Sequence, residues 1–142
     1  MLNHQNNMEL IISLIEEKNH HLQMFLEVSI NERKSFKARN FDNLEDLYSM
    51  RESLLEGIRS LDRRIHQHSA EIEAQRISEE MKLKLKSLMS AKQNLVNQIM
   101  SQDLVMLSCV ENEKSSIIKK MTSMRDGRRL LKAYRFMPDI ID

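Results

Sequence analysis

Two glycines and one proline in 142 residues leave this chain very few places to turn. Average usage is about 7% Gly and 5% Pro, so its connections must be few and short. Aromatic residues make up 4% of the chain and Trp is absent, which speaks against sandwiches and barrels built from aromatic and β-branched strands. What remains is 41% apolar and 30% charged residues, and they recur at helical spacing. The expected fold is all-α, in one domain long enough to bury a core.

The first helix is expected over about residues 4–38, where Met8, Ile12, Ile15, Leu22, Leu26 and Phe36 mark one face at three- and four-residue steps. Asn19, Ser29 and Arg33 interrupt that seam. The turn at Arg39-Asn40-Phe41-Asp42 precedes a capping-box-like Asp42 with Glu45 three residues on, and Phe41 is placed to staple onto the first turn. The second helix then covers about residues 42–74, with Leu47, Leu54 and Leu61 on one heptad track and Ile58, Ile65 and Ile72 on another. Gly57 lies inside this seam at a cost of about 1 kcal/mol against Ala, which a closely approaching neighbour would explain. Ser78, ahead of Glu79 and Glu80, is the expected N-cap of the third helix, with the second turn near residues 74–78.

The third helix is expected over about residues 78–126. Leu88, Ile99, Val110 and Met121 lie eleven apart, as do Leu85, Val96, Leu107 and Ile118, a period that keeps a helix nearly straight. Gly127 would close it with a left-handed cap, leaving residues 127–142 as a short amphipathic extension stopped by Pro138. The architecture implied is an antiparallel three-helix bundle or coiled coil with a long third helix. The third helix would draw level with the first turn near Lys114, so everything beyond would overhang the bundle or fold back on it.

That overhang has a chemistry of its own. Lys114, Lys119, Lys120, Arg125, Arg128, Arg129, Lys132 and Arg135 face a single acid, Asp126, although the whole chain carries only +1. Ile117, Ile118, Met121, Met124, Leu130, Leu131 and Tyr134 supply an apolar face. Met is flexible and favoured on surfaces that accept varied apolar partners, and five of the eleven Met residues lie between Met100 and Met137. A basic amphipathic helix without support calls for a partner helix; burial within a longer bundle, or against a second copy, would use the same residues.

Catalytic and metal chemistry is not expected. His20 and His21 are adjacent, and His66 and His68 are two apart, so neither pair shares the three- or four-residue spacing of helical metal ligands. Surface positions are expected for them, with His68 a candidate for the seam. Cys109 has no histidine nearby and reads as a buried structural thiol. No Gly-rich phosphate loop is available, and no cofactor is expected. Nucleic acid is not an expected partner, because the basic segment lacks interleaved aromatics. No stable membrane insertion is expected either: no apolar run nears the roughly 18 residues of a span, and no signal peptide opens the chain. A lone cysteine fits a reducing cytoplasm.

Asp42, Leu44, Leu47, Arg51, Leu54-Leu55, Ile58, Leu61-Asp62 and Arg64 form an acidic turn followed by spaced leucines, with a basic residue ahead of a Leu-Leu pair. This pattern resembles that of FlgN-type flagellar export chaperones. The tail Gly127-Arg128-Arg129, Leu131, Tyr134 is similar to the Gly-basic and later Tyr that close many such sequences. FliT-type chaperones share the small helical architecture and fit almost as well. The resemblance implies a non-enzymatic cytosolic chaperone that holds hook-associated, junction or cap proteins before type III secretion, with export-gate or ATPase components as further partners. The client would dock on Ile117, Ile118, Met121, Met124, Leu130, Leu131 and Tyr134. Lys119, Lys120, Arg125, Arg128, Arg129, Lys132 and Arg135 would steer it. The alternative reading is a self-associating structural or regulatory coiled-coil protein, and a more remote one is a basic-patch binder of nucleic acid or a membrane surface.

Overall fold

In a computed structural model the chain is all-α. The structure describes residues 2–70 and 77–135, and of residues 2–6 and 128–135 the backbone alone. Helix α1 spans Leu2–Lys37, a 3-10 turn covers Phe41–Asn43, α2 spans Leu44–Ser69 and α3 spans Glu79–Arg135. No described helix is long and apolar enough to cross a membrane. The chain falls into two compact units, Met1–Val105 and Met106–Asp142.

The first unit is organised around α1, which buries more than one stripe. Met8, Ile11, Ile12, Leu14, Ile15, Leu22, Phe25, Leu26 and Val28 are all buried, and Leu14 is the most enclosed at 2% exposure. A helix apolar over so wide an arc must be covered from two sides. From α2, Ile58 joins Leu22, Phe25 and Leu26, with Leu54 and Leu55 at the edge. From α3, Ile99 enters the same cluster, with Leu95 and Val96 beside it. Lys18 pairs with Asp62, and Glu32 with Arg51. Residue numbers thus rise along α1 as they fall along α2. Glu16 pairs with Lys84, and the Asn19 amide donates to the Leu88 carbonyl at 3.0 Å, so numbers rise together along α1 and α3.

The first turn departs from the capping box expected at Asp42. Arg39 adopts a left-handed conformation, with φ 58°. Its N–H donates to the Phe36 carbonyl at 3.1 Å, and the Asn40 N–H to the Ser35 carbonyl at 2.9 Å. These two bonds are the Schellman closure of α1. Phe41 then packs back onto Phe36, ring edge to ring face with centroids 5.7 Å apart. Asp42 is held within the 3-10 turn, and α2 begins one residue after Asn43. Asn43 lies near the right-handed helical region and makes no side-chain cap bond; a capping side chain needs the extended backbone that Asn43 lacks.

The second turn holds a cap at the expected serine. Ser78 Oγ accepts from the Met81 N–H at 3.2 Å, and Glu79 and Glu80 occupy the first turn. Helix α2, however, stops at Ser69 instead of about residue 74. The Ser69 hydroxyl donates to the Ile65 carbonyl at 2.7 Å, the kind of back-bond that competes with helix continuation. Ile72, on the expected heptad track, lies outside the described residues. At the other end α3 does not stop at Gly127. No glycine has positive φ, and the helix runs on to Arg135. The segment expected as a separate extension is therefore helical backbone up to Arg135, and Pro138 lies outside the described residues.

Candidate functional site

Ile99 is the last buried residue along α3; among the described residues none from Met100 to Gly127 is buried. The eleven-residue tracks show the change. Leu85, Leu88 and Val96 are half-buried and Ile99 is buried, whereas Leu107, Val110, Ile118 and Met121 on the same tracks are exposed. Ile117, Ile118, Met121 and Met124 are each about half exposed, at 48%, 52%, 55% and 58%. Lys114, Lys119, Lys120 and Arg125 are exposed on the same length of helix. The helix supports itself locally where it can: the Thr122 hydroxyl donates to the Ile118 carbonyl at 2.9 Å.

Of the expected client contacts, the structure thus places Ile117, Ile118, Met121 and Met124 on one exposed helix beside three of the expected steering cations, Lys119, Lys120 and Arg125. Leu130, Leu131, Tyr134, Arg128, Arg129, Lys132 and Arg135 sit on helical backbone, and their side chains lie outside the described residues. The uncovered stretch begins earlier than Lys114: Leu104 and Leu107 are 68% and 57% exposed.

Several other polar residues make contacts within or between the helices. Arg51, the basic residue ahead of the Leu54-Leu55 pair, clamps α2 to α1. Its guanidinium donates to Glu32 at 2.9 Å and stands 5.7 Å over the Phe25 ring. Glu32 is buried and Arg51 is half-buried, so the pair matters chiefly because removing Arg51 would strand the Glu32 carboxylate. His21 is half-buried, with Nδ1 2.9 Å from the Glu17 carbonyl and its ring lying against Gly57. That contact is the close approach expected at Gly57. His20 and His66 are exposed as expected, while His68 is half-buried with Nδ1 enclosed. Cys109 is half-buried, not buried as expected, because it lies beyond the last core residue of α3. Among the described residues no group of three His, Cys, Asp or Glu is placed to hold a metal ion.

A second surface feature escaped the sequence reading. Met24 and Val28 of α1 and Met50 and Leu54 of α2 line an open groove of about 540 Å³, with Met24 and Met50 exposed at its rim. The only signal was two methionines off the main apolar tracks, and nothing in helical periodicity says that two such residues on different helices will meet. Comparison with protein families, with curated proteins and with solved structures yields no match to this chain.

Proposed function

We propose that this chain is a non-enzymatic, cytoplasmic export chaperone of the FlgN type, holding hook-associated, junction or cap proteins before flagellar type III secretion. The observation that supports this most directly is the exposed face of α3 bearing Ile117, Ile118, Met121 and Met124 beside Lys119, Lys120 and Arg125. An amphipathic client helix would bury its apolar side on that face. The cations would attract an acidic client and raise the rate of encounter. The sequence resemblance supplies the class of client, and Arg51 and the Leu54-Leu55 pair, which carry much of it, belong to the scaffold.

The test is a pull-down from a flagellated bacterial lysate with three proteins: the full chain, a chain ending at Glu113, and Met121→Glu combined with Ile117→Glu. Capture of hook-associated or cap proteins by the full chain alone is the expected result. Equal capture by all three would move the site elsewhere, with the Met24–Met50 groove the next candidate. Capture of nucleic acid that is lost steeply with salt would replace the chaperone reading by a basic-patch binder.

A further inference from the structure

We draw no further inference here: the strongest candidate, the exposed apolar stripe of α3 that runs from Leu107 to Met124, carries nothing because no feature of the structure shows what covers it.

Discussion

Gly57 shows how a residue that lowers helix propensity is retained by what touches it. A Cβ at this position would lie 3.0 Å from His21 Cδ2 and 3.1 Å from Nε2. The ring cannot simply swing away, because its Nδ1 is engaged with the Glu17 carbonyl. Alanine in a helix interior is worth about 1 kcal/mol over glycine. We therefore expect Gly57→Ala to give little or no gain in the wild-type background and about 1 kcal/mol when combined with His21→Ala. Urea denaturation of the four proteins in the cycle measures this. Equal gains in both backgrounds would mean that the ring yields freely. The close approach was legible in the sequence because glycine within a heptad seam demands a reason. Its partner was not, since His21 lies on a different helix and nothing local links the two. The polar interruptions at Asn19, Ser29 and Arg33 were legible in the same partial way. Asn19 Oδ1, Ser29 Oγ and Arg33 Nε are indeed buried, so these residues sit within the packed region as the spacing indicated.

At the scale of elements, sequence reading succeeded where one local interaction decides the outcome and failed where two compete. Ser78 caps α3 because a serine before two acids has few rivals. Asp42 does not cap α2, because the Schellman closure at Arg39 and the Phe36–Phe41 contact fix the backbone first. Gly127 looked like a terminus by residue type alone, yet a single helical glycine costs only about 1 kcal/mol, and α3 passes through it. A Cβ at Gly127 would meet nothing within 4 Å. Gly127→Ala should therefore raise the helicity of α3 without steric penalty, and slow amide exchange around residues 120–130, at about fivefold for roughly 1 kcal/mol. Unchanged exchange there would show that the helix does not depend on this position.

At the scale of the molecule, the all-α class followed from the scarcity of Gly and Pro, and the core residues of α1 from their spacing. The position at which α3 loses its cover was placed near Lys114 by counting turns, whereas burial ends at Ile99. The discrepancy arises because α2 is shorter than expected, ending at Ser69, and the second turn carried no Gly or Pro to mark it. The apolar, basic character of the exposed stretch was thus legible as composition, and its extent was not, since extent depends on a turn that composition leaves unmarked. Hydrogen exchange should follow burial. Amides of α1 near Leu14 to Val28 are expected to be the slowest, and protection along α3 should fall past Ile99. Uniform protection through residue 127 in dilute solution would contradict the exposure found there.

The ion pairs that order the helices also set a timetable. Those joining α1 to α2, Glu32–Arg51 and Lys18–Asp62, close loops of modest length, whereas Asn19 and Leu88 are 69 residues apart in sequence. Contacts of low sequence separation form first, because less chain must be closed to make them. During synthesis the hairpin of α1 and α2 has all of its own residues before most of α3 exists. One broad side of α1 must then wait for a helix still to be made. A nascent chain at that stage exposes the apolar flank of α1 that α3 later covers, and the order of translation itself makes this the interval in which the molecule is most open to aggregation.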